Sequence, residues 1–276
     1  MSRFMLSYIE RDSFVHKLCG ATKFLFFLMW SVLAMMTFDT RILAGMAVGG
    51  FLLFFVSRTK TVEVAFIFKL LLAFMALNLA AIYAFAPEQG VLLYGTRHIL
   101  IEGIGRFTLT TEQLFYELNV FLKYIIVAPV AIVLMVTTHP TEFASSLNRI
   151  GMPYAVAYAI SLTLRYIPDV QREYQDISRS QQARGIELSK KTSAWKRLKG
   201  SSAILMPLVF SSLERIDVIS HAMELRGFGK NKRRSWYSGK PFVQRDFIVL
   251  ATAAAIFGLG LYITFADGNR FWNPFL

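Results

Sequence analysis

The chain is poor in charge and nearly without cysteine. Asp, Glu, Lys and Arg make up 17% of its 276 residues, where a soluble domain normally carries about 25%. Cys19 is the single cysteine, so a disulfide within the chain is excluded. The four histidines, His16, His98, His139 and His221, are scattered without metal-ligand spacing, and neither a metal nor another cofactor is expected. No Gly-x-x-x-x-Gly-Lys-Ser/Thr occurs. Gly229-Lys230 and Gly239-Lys240 lack the upstream glycine, so no phosphate-cradling loop is expected. No nucleophile–base arrangement stands out either. Glu173, Glu214 and Asp217 are flanked by Arg172 and Arg215, the pattern of paired charges on a helix surface. The chain is therefore not expected to be an enzyme. A removable signal peptide is not expected: the first 23 residues hold no short apolar core before a small-residue cleavage site.

What is abundant is apolar: 55% of the residues are hydrophobic and 25 are Phe. Several uncharged runs reach bilayer scale, which predicts an all-α, polytopic membrane protein with about five transmembrane helices. The first run, 24–38, spans roughly 23 Å at 1.5 Å per residue. That is short, so Lys23 and Asp39 are expected to reach outward from its ends. The second run is 42–57, with Gly45 and Gly49 at the spacing that permits close helix contact. The third rises through Phe66, Leu70 and Phe74 and stops before Pro87. The fourth starts near Thr111, where Thr110, Thr111 and Glu112 supply capping chemistry. Its uncharged core is 124–141, with a kink expected at Pro129 and an end at Pro140. The fifth is 247–266. Residues 150–164 are also apolar, but Arg165, Pro168 and Asp169 follow at once. They are better placed as an interfacial helix that continues to Arg184. A basic loop with Lys190, Lys191, Lys196, Arg197 and Lys199 then leads to a second long helix over 201–226.

This pattern divides the chain into an N-terminal transmembrane region of four helices (1–139), a region of long helices between the spans (140–246) and a C-terminal transmembrane helix (247–276). The net charge is +12, yet no soluble basic domain is visible, and nucleic acid is not an expected partner. The cations instead follow topology. With the N-terminus inside, segments 1–23, 57–69 and 139–246 hold 25 of the 30 Lys and Arg, as the positive-inside rule requires. The expected location is the cell membrane, multi-pass, with the N-terminus and the 140–246 region cytoplasmic and the C-terminus outside.

Within the polar stretch 168–229 two similar endings stand out: Gln181-Gln182-Ala183-Arg184-Gly185 and Met223-Glu224-Leu225-Arg226-Gly227. Helix C-termini favour a cation in the last turn and Gly at the next position, so either ending alone is ordinary capping. The repetition, each time after a long helix with a proline near its start, suggests more. An exposed Arg on a rigid helix tip can pair bidentately with carboxylates in a partner's groove.

Residues 140–229 resemble the coupling region of the transmembrane T component of energy-coupling factor transporters. The resemblance is carried by Ser146-Leu147-Asn148-Arg149-Ile150-Gly151-Met152-Pro153 and Ser161-Leu162-Thr163-Leu164-Arg165-Tyr166-Ile167-Pro168. The two Arg-Gly endings and Ser212-Leu213-Glu214-Arg215 complete it. The family usually has a small residue before the second Arg-Gly, where this chain has Leu225. The resemblance implies a non-catalytic membrane scaffold of an ATP-driven importer of vitamins or transition-metal ions. Two ATP-binding cassette ATPase subunits would take the two helix tips, at Ala183, Arg184 and Gly185 and at Leu225, Arg226 and Gly227. A separate membrane S component would capture the substrate and dock on the long helices, where Met206, Phe210 and Met223 form an adaptable surface. The alternative is a substrate-translocating permease of another ATPase-driven importer. That reading requires polar groups inside the spans, for which Asn78 and Lys123 are the main candidates.

Overall fold

The computed structural model describes residues 11–103, 107–185, 194–230, 235–237, 239–266 and 270–275. The chain forms two units: 1–139 with 240–276, and 140–239.

The first unit is built on helix α6 (Thr111–Thr137), which is the most enclosed of the three apolar helices of membrane-spanning length. Against it pack α2 (Gly20–Met36), α3 (Thr40–Val56) and α4 (Thr61–Phe85), and α10 (Gln244–Ala266) packs on α2. Three of these helices, α4 from Val64, α6 and α10, are long and apolar enough to cross a membrane, and α2 and α3 are shorter apolar helices. The unit is thus an all-α, multi-pass membrane bundle. Trp30, Leu33 and Ala34 of α2, Leu43 and Met46 of α3, and Ile126 and Val130 of α6 make one core. Phe54, Val64, Ile132, Val133 and Val136 make a second, closed by Val15 from α1 (Phe14–Lys17).

Small residues set the closest approaches. A Cβ on Gly260 of α10 would lie 2.7 Å from Leu33 Cδ2, and one on Gly49 would lie 2.9 Å from Trp30. A Cβ on Gly50 would come within 3.4 Å of the Ile126 carbonyl on α6, whereas Gly45 faces open space. The Gly45/Gly49 pairing expected from spacing is therefore replaced by Gly49/Gly50. Two adjacent glycines serve two different neighbouring helices.

The charged ends of the first two runs turn inward. Lys23 is buried within α2 and its Nζ donates to the Thr137 carbonyl at 2.8 Å. Asp39 is buried as the N-cap of α3, accepting from the Arg41 N–H at 2.9 Å and pairing with its guanidinium at 3.0 Å. Neither is exposed as expected: Lys23 is held by a backbone carbonyl, and Asp39 by the Arg41 N–H and the exposed Arg41 guanidinium. Helix α6 continues through Pro129 and ends at Thr137, with Thr110 accepting from the Gln113 N–H at its start.

The segment before α6 holds short elements not foreseen. Helix α5 (Gln89–Tyr94) is followed by a two-stranded antiparallel pairing of β1 (Ile99–Ile101) with β2 (Leu109–Thr110). Gly90 lies against the start of α6, where a Cβ would sit 2.3 Å from the Glu112 carbonyl. Rings from Tyr94, Phe115, Phe271 and Phe275 cluster there.

The second unit contains α7 (Pro140–Arg149), α8 (Tyr154–Ala183) and α9 (Ala194–Leu225). Helix α8 runs unbroken through Pro168, and α9 through Pro207. Helix α9 starts seven residues before the expected position. Lys196, Arg197 and Lys199 thus stand on its first turns rather than in a loop, consistent with the good helix propensity of Lys, Arg, Leu and Ala.

Candidate functional site

Helices α8 and α9 lie side by side and antiparallel. Tyr158 at the start of α8 meets Phe228, just past the end of α9, with ring centroids 4.9 Å apart. Glu173 meets Arg215 and Ser211 in the middle, and Gln181 Nε2 donates to the Ala203 carbonyl at 3.4 Å near the other end. The α8 residues that face its partner, Tyr158, Leu162, Tyr166, Val170 and Glu173, recur at four- and three-residue steps. That spacing lays one stripe along a helix. From α9 the matching stripe is Ser211, Arg215 and Ile219. A groove of about 480 Å³ runs between them, lined by Leu162, Tyr166, Val170, Ile216, Ile219 and Met223.

This pairing puts the two Arg-Gly endings at opposite ends of the unit. The end of α9 lies beside Tyr158, and α8 runs 26 residues further to Arg184. At 1.5 Å per residue the two arginines stand roughly 40 Å apart along the pair.

Both endings are built by glycine capping. After α9, Gly227 has φ +66°. Its N–H donates to the Glu224 carbonyl at 2.9 Å, and the Phe228 N–H reaches back to Met223 at 2.9 Å. These two bonds define a Schellman motif, which needs a left-handed residue at that position. Phe228 then stacks on Tyr154 and Tyr158, anchoring the turn. After α8, Gly185 has φ +89° and its N–H donates to Gln182 at 3.0 Å. The following residue lies outside the described part of the chain. Helix α7 ends in the same way, with Gly151 at φ +118° and the Met152 N–H on the Leu147 carbonyl at 3.1 Å. Left-handed glycine is therefore how this unit stops helices. The feature special to α8 and α9 is the Arg immediately before the glycine.

Ala183, Arg184 and Gly185 are exposed, as are Leu225 and Arg226, while Gly227 is half-buried. Leu225 is 90% exposed. Met206 and Phe210 are exposed on α9, together with Leu205, Val209, Leu213 and Ile216, the last of which also borders the groove. Positions 205, 209, 213 and 216 form one helical stripe, with 206 and 210 on its flank. Met223 is placed differently: it is half-buried and lines the groove between the helices.

The Glu173–Arg215 contact was not legible from spacing. Each residue reads as pairing within its own helix, as Arg172 does with Asp169 and Arg179 with Asp176. Among the described residues no group of three His, Cys, Asp or Glu is placed to hold a metal ion. Asn78 is half-buried on α4. Lys123 is buried in α6, with Nζ donating to the Met35 carbonyl at 3.1 Å and lying 3.1 Å from the Phe38 ring centroid.

A multi-pass apolar bundle joined to a unit of two long antiparallel helices with matched Arg-Gly ends defines a transport-type membrane subunit. The profile of the family described as "Cobalt transport protein" (CbiQ) matches residues 11–236. The chain is 25% identical over 270 residues to the energy-coupling factor transporter transmembrane protein EcfT of Macrococcus caseolyticus, covering 93% of this chain and 96% of that protein. It is 25% identical over 253 residues to EcfT of Staphylococcus aureus, covering 88% and 90%. It is 28% identical over 165 residues to EcfT of Listeria innocua, covering 56% and 62%. The chain belongs to the CbiQ/EcfT-like family, the transmembrane T components of energy-coupling factor transporters.

Proposed function

We propose that the chain is the coupling scaffold of an ATP-driven importer of vitamins or transition-metal ions, with ATP hydrolysis in two partner ATP-binding cassette subunits. The observation that carries this reading is the placement of Arg184 and Arg226. Each is exposed, at the tip of a long helix locked by a left-handed glycine, at opposite ends of one antiparallel pair. Two separate tips suit two separate partners of the same kind. A guanidinium held at a rigid helix end loses little freedom when it enters an acidic groove. Ala183, Gly185, Leu225 and Gly227 complete the two contacts. When the ATPases close on ATP, the movement of the tips is transmitted along α8 and α9. The exposed stripe through Met206 and Phe210 then passes it to a membrane S component that carries the substrate, with Met223 in the groove beside it.

The same reading puts the N-terminus and 140–246 on the cytoplasmic side and the C-terminus outside. A thiol label at Lys191→Cys tests this, because the native Cys19 is buried. Labelling from the cytoplasmic side alone is expected, and labelling from outside overturns the orientation. The coupling role is tested with the Arg184→Glu/Arg226→Glu double variant. It is expected to insert in the membrane yet lose both uptake and co-purification of the ATPases. A double variant that still assembles and transports contradicts the proposal.

A further inference from the structure

The first unit carries two adjoining cavities where α2 and α10 begin and α3 and α6 end. One, of about 310 Å³, is apolar and lined by Leu18, Leu52, Val133, Leu134 and Val249 among others. The other, of about 540 Å³, is polar and lined by Lys17, Arg58, Arg245 and Asp12. Phe14 and Val56 line both, so the apolar space opens beside the charged one.

We propose that this pair of cavities holds one anionic phospholipid molecule, with an acyl chain in the apolar cavity and the phosphate among Lys17, Arg58 and Arg245. Charge complementarity carries the assignment. Three cations face one carboxylate across the polar cavity, an excess that suits a phosphodiester in an otherwise apolar, lipid-bathed unit. Lys17 is held by Asp12 at 2.8 Å, and Arg58 Nη1 reaches the Asp12 carbonyl at 3.5 Å. Arg245 has no ionic or hydrogen-bond partner among the described residues, leaving its planar fork for two phosphate oxygens. Arg58 is also the only residue other than glycine, among those described, with a left-handed backbone (φ +56°). The Ser57–Thr59 hydroxyl pair, 2.7 Å apart, closes that turn. Such strained positions cluster where a side chain must be aimed.

The test is native mass spectrometry of the full-length protein released from bilayers of phosphatidylglycerol or of phosphatidylcholine. Thermal unfolding is followed with each lipid and with inorganic phosphate. One retained phosphatidylglycerol per chain is expected, with stabilisation by that lipid and not by phosphate alone. Arg58→Gln/Arg245→Gln should weaken retention about thirtyfold, the loss of two cations near an anionic surface. Val56→Trp, which narrows the junction of the two cavities, should lower retention while leaving the charges in place. Unfolding of both variants in phosphatidylcholine shows that they are folded. Equal retention of both lipids, unchanged retention in the variants, or equal stabilisation by inorganic phosphate overturns the proposal.

Discussion

Glu173 and Arg215 join the two long helices at mid-length. Arg215 Nη2 donates to Glu173 Oε2 at 2.7 Å, and Ser211 donates to the other carboxylate oxygen. Both side chains are partly covered, 20% exposed for Glu173 and 35% for Arg215. Tyr166 adds a ring face 5.8 Å from the guanidinium. This contact sits near the middle of the span between the two Arg-Gly tips. Glu173→Leu and Arg215→Leu are each expected to destabilise the folded chain by about 1–2 kcal/mol, the value of a charge-assisted bond partly screened by solvent. A double-mutant cycle on thermal unfolding should show an interaction energy of at least about 0.5 kcal/mol. Additive effects would remove the pair from the account.

The two capping glycines should differ from ordinary helix glycines. Gly227→Ala places a Cβ on a residue at φ +66°, which costs roughly 1–2 kcal/mol in the left-handed region. Gly227→Asn should cost less, because Asn tolerates that region better. The expected signature is partial loss of ATPase co-purification in Gly227→Ala, restored in part by Gly227→Asn. Indistinguishable behaviour of the two would show that backbone geometry at this tip does not matter.

Gly258 and Gly260 lie on the same helix, but only Gly260 has a close neighbour. Nothing approaches a Cβ at Gly258, whereas one at Gly260 lies 2.7 Å from the buried Leu33. Gly260→Ala is expected to destabilise by about 1–3 kcal/mol through overpacking, and Leu33→Ala should cost less in that background than in the wild-type chain. Gly258→Ala should be neutral or slightly stabilising. Thermal unfolding in detergent distinguishes these outcomes.

Lys123 separates the scaffold reading from the permease alternative. Its ammonium is used structurally, on the Met35 carbonyl and over the Phe38 ring. Lys123→Met should therefore keep most of the uptake rate, with a stability change of no more than about 2 kcal/mol. Abolished uptake in a variant that still assembles with its partners would favour a substrate path through this unit.

Much of this arrangement was legible because it is written locally. The uncharged runs gave the membrane helices, Thr110 gave the start of α6, and Arg-Gly marked the ends of α8 and α9. Three things were not legible, each for a physical reason. Antiparallel pairing of α8 with α9 depends on contacts between residues some 40 positions apart, such as Glu173 with Arg215, and neither helix alone specifies its partner. Lys23 and Asp39 look like residues that reach for water, yet both are buried, Lys23 on the Thr137 carbonyl and Asp39 beneath the exposed Arg41 guanidinium. The start of α9 was placed too late because its clustered Lys and Arg suggested a loop, although no helix breaker stands among them.

The most direct test of the central claim is native mass spectrometry of nucleotide-free complexes purified through this chain. Arg184→Glu, Arg226→Glu and the double variant are compared with the wild type. Two tips roughly 40 Å apart along one helix pair, each serving one ATPase, predict two ATPases on the wild type, one on each single variant and none on the double variant. Two ATPases retained on the double variant would contradict the account.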